Sequence, residues 1–277
     1  AGLFILGHGF PGRLPPDLRA FGDGAAASFR NRPCGAGGCV FGDRAFGGEA
    51  VLWGDSHAHA LAPGLVRFAA ARGLRLRELS LNGCVPLPGI ERLRPDDLRI
   101  RPCTDFNRAA LGTILRGGDV RLVILQAWWE TAPRLVDADI RPGITRGVVA
   151  ALDGLLRTLA ARNIAVLLVG DVPAFPDSPL HCLGRQALLG RPAAPGCTVL
   201  PLAAAASESG AADAMLSAAA RRFANTRAYF PRAVLCGRDG CHAVLRQRLL
   251  YSDTHHLSPF GADLVGAALG AALRGWP

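Results

Sequence analysis

Two rhythms of hydrophobic and polar residues run along this chain, and the changes between them predict most of its elements. Short apolar or alternating runs at 50–53, 74–80 (Leu-Arg-Leu-Arg-Glu-Leu-Ser), 120–126 (Val-Arg-Leu-Val-Ile-Leu-Gln) and 164–170 (Ile-Ala-Val-Leu-Leu-Val-Gly) read as strands, with a weaker one at 228–234. Segments with helical spacing lie at 57–72, 105–116, 144–162, 211–225 and 259–274. In the first, Leu61, Leu65, Phe68 and Ala69 fall on one face; in the third, Val148, Leu152, Leu155, Leu156 and Leu159 form an apolar stripe. Strands alternating with helices imply an α/β fold with a mostly parallel, doubly wound sheet. In such sheets the functional groups gather at the carboxyl ends of the strands.

Two stretches break the pattern. Residues 1–48 are rich in Gly, Pro and Arg and read as an irregular N-terminal arm packed on a single domain spanning 49–277. Residues 172–210 are rich in Pro and Ala and read as a long loop, a lid or a substrate-facing surface. No internal repeat is evident.

Composition narrows the classes. Half of the 277 residues are hydrophobic, enough for a sizeable core. The formal charge is +9, yet all 31 basic residues are arginine and none form a long run. Aromatic residues are few and not interleaved with arginine, so nucleic-acid binding is not expected. A basic surface near anionic lipid or an acidic glycan stays open. The eight cysteines fall in close pairs: Cys34 and Cys39, Cys84 and Cys103, Cys182 and Cys197, Cys236 and Cys241. Local pairs with Gly and Pro between them read as disulfide-closed loops of an oxidising compartment, although connectivity does not follow from sequence. Free buried thiols are one rival reading. Zinc is another, but no C-x2-C pair occurs and no histidine lies at ligand spacing to a pair, so no metal is expected. The chain opens Ala1-Gly2-Leu3-Phe4-Ile5-Leu6-Gly7, too short to span a bilayer and without a basic leader region. An extracytoplasmic piece without its own export signal is expected to come from a longer, membrane-embedded parent.

The candidate chemistry sits at two distant stretches. Val51-Leu52-Trp53-Gly54-Asp55-Ser56-His57 is an apolar strand turning sharply into a helix. A serine there has its hydroxyl at the helix N-terminus, where the free N–H groups favour a developing oxyanion. Taken alone, Ser56 as a plain helix N-cap is the simpler reading. Near the other end, Asp253 and His256 stand three apart in Asp253-Thr254-His255-His256-Leu257-Ser258-Pro259. That spacing lets a carboxylate orient an imidazole whose other nitrogen faces a nucleophile from another element. The rival is a cap at Asp253 or Ser258 beside two surface histidines. His255 is the alternative base, His57 a structural neighbour, Asp55 a turn stabiliser and Asp171 a loop-capping residue. Trp128 and Trp129 offer a stacking floor for a sugar ring, or else pack against the sheet.

Together, Gly54-Asp55-Ser56 after the first strand and Asp253-x-x-His256 before the last helix resemble the SGNH-hydrolase family. Gln126-Ala127-Trp128-Trp129 stands where that family usually carries a Gly-x-Asn-Asp block. This narrows the resemblance to the extracytoplasmic SGNH domains of membrane acyltransferase-3 proteins. Those domains resemble this chain at Gly54-Asp55-Ser56-His57, Cys84-Val85-Pro86-Leu87, Cys103-Thr104-Asp105-Phe106-Asn107, Trp129, Asp253-Thr254-His255-His256-Leu257-Ser258 and the opening Gly9-Phe10-Pro11-Gly12-Arg13-Leu14-Pro15.

The resemblance implies a three-layer, flavodoxin-like sandwich and O-acylation of a polysaccharide. Ser56 is then the nucleophile, His256 the base and Asp253 its orienter. The Ser56 N–H, the Gly83 N–H and the Gln126 amide are the implied oxyanion donors, with Trp129 as a substrate-binding residue. No cofactor is implied; the acyl group, usually acetyl, comes from an integral-membrane acyltransferase domain of the same parent chain. The domain is then periplasmic, close to the inner membrane and tethered to it. Two other outcomes share the fold: a carbohydrate O-acetyl esterase, and a non-catalytic glycan-binding domain with a degenerate site.

Overall fold

A computed structural model describes residues 34–92, 102–129, 135–136, 146–192 and 194–276. Six strands make the main sheet: β1 (Gly35–Phe41), β2 (Gly48–Gly54), β3 (Leu74–Ser80), β4 (Val120–Gln126), β5 (Ala165–Val169) and β6 (Thr226–Tyr229). Their order across the sheet is β1-β3-β2-β4-β5-β6. All neighbours are parallel except β1, which runs antiparallel to β3 at the edge. The parallel strands follow the flavodoxin-like order, whose direction of winding reverses on either side of β2.

The central strands are buried on both faces, as their near-continuous apolar sequences require. Every residue of β2 and β5 is buried. Side-chain alternation divides the interior into two clusters. Ala50, Leu52, Ile124 and Leu167 meet α1 (Ser56–Ala70) and α6 (Pro259–Ala272) on one face. Val51, Trp53, Val123 and Leu168 meet α2 (Pro102–Arg116), α3 (Arg146–Ala160) and α5 (Leu202–Arg222) on the other. Three layers result, matching the expected α/β sandwich. No helix of the described residues is long and apolar enough to cross a membrane.

Register brings the strand ends level. Gly54 pairs with Ser80 on one side and Gln126 on the other; Gln126 pairs with Val169, and Val169 with Tyr229. The turns that leave this row therefore share one rim. The glycine in it is obligatory, because a Cβ on Gly54 would stand 1.6 Å from the Gln126 carbonyl oxygen.

Several elements differ from the sequence reading. Residues 35–41, expected in an irregular arm, form the edge strand β1; residues 1–33 of that arm lie outside the described residues. The expected loop 172–210 holds α4 (Pro179–Leu188), a helical turn at Pro195–Thr198 and the first turns of α5. The weak strand at 228–234 ends at Tyr229, and Pro231 instead leads into a helical turn, Arg232–Leu235. All eight cysteines are in disulfides, each bonded to its neighbour in sequence: Cys34–Cys39, Cys84–Cys103, Cys182–Cys197 and Cys236–Cys241.

Candidate active site

The turn after β2 is built by Asp55. Its backbone is extended, and its carboxylate caps α1 by accepting the His57 N–H at 2.8 Å. The other carboxylate oxygen accepts the Trp128 N–H at 3.0 Å, which ties this turn to the one after β4. Asp55, not Ser56, is therefore the N-cap. Ser56 becomes the first helical residue, its hydroxyl released from capping and its N–H one of the first-turn amides with no intrahelical acceptor.

The same division of labour recurs before α6. Ser258 caps that helix through the Gly261 N–H at 3.1 Å, and Pro259 occupies its first position. Asp253 is freed from capping. The chain between them folds into a tight loop, with Tyr251 bridged to Leu257 and the Ser252 N–H donating to the His256 carbonyl at 2.8 Å. Inside the loop, Asp253 Oδ1 accepts the backbone N–H groups of His255 and His256 at 2.9 and 2.7 Å. Asp253 Oδ2 stands 2.8 Å from His256 Nδ1, and His256 Nε2 stands 2.8 Å from Ser56 Oγ. Residues 200 positions apart thus form one continuous Ser–His–Asp relay on the strand-end rim.

Burial and charge set the protonation states around this relay. Burial works to raise the Asp253 carboxyl, but the His256 ring and two backbone N–H groups outweigh it and hold the group well below the usual carboxylate range. Asp253 is a permanent anion at neutral pH. His57 is buried, and burial first, then the neighbouring His256 and His255 rings, push its pKa well down. Burial and His256 likewise push His255 down to about 4, against the pull of Asp253. Both flanking rings are neutral at neutral pH.

The remaining expected residues are placed unevenly. Gly83 sits in the turn after β3 with φ +73°, a left-handed conformation that suits glycine. Gln126 ends β4 beside Gly54; it is buried, and its amide oxygen makes no hydrogen bond. Trp129, expected to bind substrate, is packed inside the fold. It is 1 % exposed, its backbone N–H donates to Asp171 Oδ1 at 2.8 Å, and its indole N–H donates to the Val169 carbonyl at 2.8 Å. A large side chain whose polar tip is bonded inside the sheet layer is core. Trp128 is the one near the relay, half-buried, stacked on His57 at 5.5 Å and edge-on to His255 at 4.2 Å.

Sequence reasoning missed how closely the histidines gather. The rings of His57 and His256 lie 4.6 Å apart and those of His255 and His256 4.3 Å. His255 Nδ1 also reaches Asp253 Oδ1, at 3.2 Å. The signal was available in the two adjacent histidines after Asp253, but nothing in their spacing tells which face of the loop each ring takes.

Comparison with known proteins gives the family and the fold. Residues 23–271 match the model of a family described as the SGNH domain fused to AT3 domains. Among solved structures, the chain is similar to the periplasmic domain of the lipopolysaccharide acetyltransferase of Salmonella ser. Paratyphi A. The two are 16 % identical over 95 % of this chain and 98 % of that one, with a TM-score of 0.64. TesA (15 % identity, 83 % of this chain and 99 % of that one, TM-score 0.47) is a more distant match. So is a putative acylhydrolase from Bacteroides fragilis NCTC 9343 (13 % identity, 94 % and 97 %, TM-score 0.45). No curated protein sequence matches. With its fold, its strand-end relay and a match over most of its length, the chain belongs to the family of SGNH domains fused to AT3 domains.

Proposed function

We propose that this domain transfers an acyl group, acetyl in the first instance, to a hydroxyl of a cell-surface or secreted polysaccharide through an acyl-serine at Ser56. The observation that carries this reading is the relay itself, with 2.8 Å at each of its two side-chain hydrogen bonds and an anionic Asp253 at its far end.

The chemistry runs in two halves. Ser56 Oγ attacks the carbonyl carbon of an acyl donor while its proton passes to His256 Nε2. The resulting imidazolium is stabilised by Asp253 through Nδ1–H. Collapse of the tetrahedral intermediate expels the donor's leaving group, which takes the proton from His256, and leaves the acyl-serine. In the second half a sugar hydroxyl gives its proton to His256 and attacks the ester. Collapse then returns the proton to Ser56. Each tetrahedral oxyanion lies at the N-terminus of α1, where the Ser56 N–H donates. The Gly83 N–H and the Gln126 amide are the further donors; the Gly83 N–H makes no backbone hydrogen bond to another described residue.

The family and its neighbour support the acceptor and the setting. SGNH domains of this family are fused to AT3 domains, and one structural match is the periplasmic domain of a lipopolysaccharide acetyltransferase. Four disulfides suit an oxidising compartment outside the cytoplasm. We therefore assign the domain to the periplasmic side of the inner membrane, tethered to a membrane acyltransferase domain that supplies the acyl group. No cofactor enters the reaction.

With water in place of the sugar, the same relay hydrolyses esters, and this supplies the test. The chain is expected to hydrolyse a chromogenic acetyl ester, and mass spectrometry is expected to trap an acetyl group on Ser56. Ser56→Ala removes both, with turnover falling on the order of 10⁴-fold or more. Hydrolysis that survives Ser56→Ala, or unchanged glycan acylation by a parent carrying that substitution, overturns the assignment.

A further inference from the structure

We propose that His57, His255 and His256 together form a binding site for a divalent transition cation of the zinc class, and that a cation held there silences Ser56. The relay described above uses only one of these three rings. The other two need an explanation of their own.

One ring nitrogen from each of the three residues lies within 4.8 Å of the other two. Of the three residues His57 is the most telling. The residue is 3 % exposed, and its Nε2 is buried without a hydrogen-bond partner. An unpaired buried nitrogen is unfavourable unless something meets it. His255 and His256 are oriented by a single carboxylate: Asp253 Oδ1 lies 3.2 Å from His255 Nδ1, and Oδ2 lies 2.8 Å from His256 Nδ1. A carboxylate on one ring nitrogen that leaves the other for an ion is how metal-binding histidines are held in metalloproteins. Here one aspartate serves two rings. Trp128 walls the cluster, stacked on His57 and edge-on to His255, which keeps the surroundings apolar.

The donor set selects the cation. Three neutral imidazoles suit Zn2+, Cu2+ or Ni2+; Mg2+ and Ca2+ want oxygen ligands. A tetrahedral zinc ion holds its nitrogen ligands about 3.4 Å apart, so the rings must draw together by roughly 1–1.5 Å at the widest pair. Water or the Ser56 hydroxyl completes the shell. Thiolates do not compete, because every cysteine is in a disulfide. Once His256 Nε2 coordinates a cation, its lone pair no longer accepts the Ser56 proton, and acyl transfer stops until the cation leaves. The silencing rests on the acyl-serine reading; the binding does not.

The test separates the two. Metal-free 277-residue chain is titrated with zinc chloride in a calorimeter at about pH 7.5, where unperturbed imidazoles are neutral, with magnesium chloride as the contrast. One zinc per chain and no magnesium is expected. His57→Phe, which keeps a ring against Trp128, and His255→Phe each weaken zinc binding by about tenfold or more. His242→Ala, at an exposed histidine paired with Asp239, leaves it unchanged. Near-UV circular dichroism establishes that each variant is folded, and zinc raises the melting temperature of the unaltered chain but not of His57→Phe. No zinc binding up to ~1 mM, or binding by His57→Phe and His255→Phe as tight as the unaltered chain's, overturns the site. Zinc is also expected to inhibit hydrolysis of a chromogenic acetyl ester, reversibly by chelator and at the concentration that fills the site. Undiminished hydrolysis with zinc bound overturns the silencing. A chain that binds zinc through these histidines yet hydrolyses no ester upholds the site while the acyl-serine reading fails.

Discussion

Trp128 and Trp129 are neighbours in sequence with opposite surroundings. Trp129 is in the core with both its N–H groups bonded, so Trp129→Ala is expected to lower stability by about 3–5 kcal/mol. Trp128 is half-buried over the histidines, and Trp128→Ala is expected to lose no more than about 1 kcal/mol. Thermal unfolding of the pair checks this, and equal losses would make Trp128 as much a part of the core as Trp129. Sequence could not separate them, because both follow β4 and only the Val169 carbonyl and Asp171, at and just past the end of β5, decide which one turns inward. Ser56, Asp253 and His256 were legible because each sits at a strand-to-helix or loop-to-helix turn. What spacing left open was whether Ser56 and Asp253 were caps, and the structure gives that work to Asp55 and Ser258. The histidines also set a pH dependence. His57 is neutral in the fold because of burial first and then the neighbouring His256 and His255 rings, and His255 is held at about 4 by burial and His256. In the unfolded chain both bind a proton near pH 6.5. Between about pH 6.5 and 4 the unfolded state therefore holds more protons, and stability falls as pH falls. Asp253, depressed in the fold, adds a second loss only at lower pH, as its carboxyl is finally protonated. Melting temperatures across this range are expected to decline, with a shallower slope in His57→Phe; a flat profile would contradict a neutral His57.

Helices α1 and α6 carry the two halves of the relay, Ser56 on the first residue of one and His256 three residues before the other. Their contact is backbone on backbone. A Cβ on Gly64 would stand 1.9 Å from the Ala262 carbonyl oxygen, and one on Gly266 would stand 2.3 Å from the Gly64 carbonyl oxygen. Arg67 and Asp263 form an ion pair beside this crossing. Gly64→Ala must therefore push the helices apart, at about 1–3 kcal/mol or more for overpacking. It must also lengthen the 2.8 Å contact between Ser56 and His256. A shift of about 1 Å at reacting groups lowers turnover by roughly a hundredfold. Chromogenic ester turnover in Gly64→Ala is thus expected to fall further than in a variant equally destabilised elsewhere. The strands and helices around this pair were legible, since β2, β4 and β5 each hold an apolar run and α3 has a full stripe. The elements that were missed had misleading composition. β1 is Gly-Ala-Gly-Gly-Cys-Val-Phe, with little strand propensity; pairing with β3 makes it a strand. The start of α5 is alanine-rich, which favours helix, but neighbouring prolines made the whole segment resemble a loop.

Across the whole molecule, the disulfides lock short segments onto the sandwich, and one of them holds the turn after β3. Cys84 follows Gly83 in the turn after β3, and Cys103 lies in the first turn of α2. The bond between them fixes the end of a strand that pairs with β2. Closing a 19-residue separation stabilises the fold by about 3 kcal/mol through the unfolded chain. Cys236–Cys241 spans only 5 residues, worth about 2 kcal/mol on the same basis, and carries none of the proposed oxyanion donors. Replacing each pair by alanine should therefore separate stability from position. Cys84→Ala with Cys103→Ala is expected to lower the melting temperature by roughly 6–12 °C. It should also reduce ester turnover at temperatures where the chain is still folded, because Gly83 loses its anchor. Cys236→Ala with Cys241→Ala is expected to lower the melting temperature less and to leave turnover of the folded fraction near that of the unaltered chain. If both pairs change turnover only in proportion to the fraction unfolded, the Cys84–Cys103 bond is a staple alone. Gly83 is then not a donor that the bond positions, and the oxyanion is left to the Ser56 N–H and Gln126.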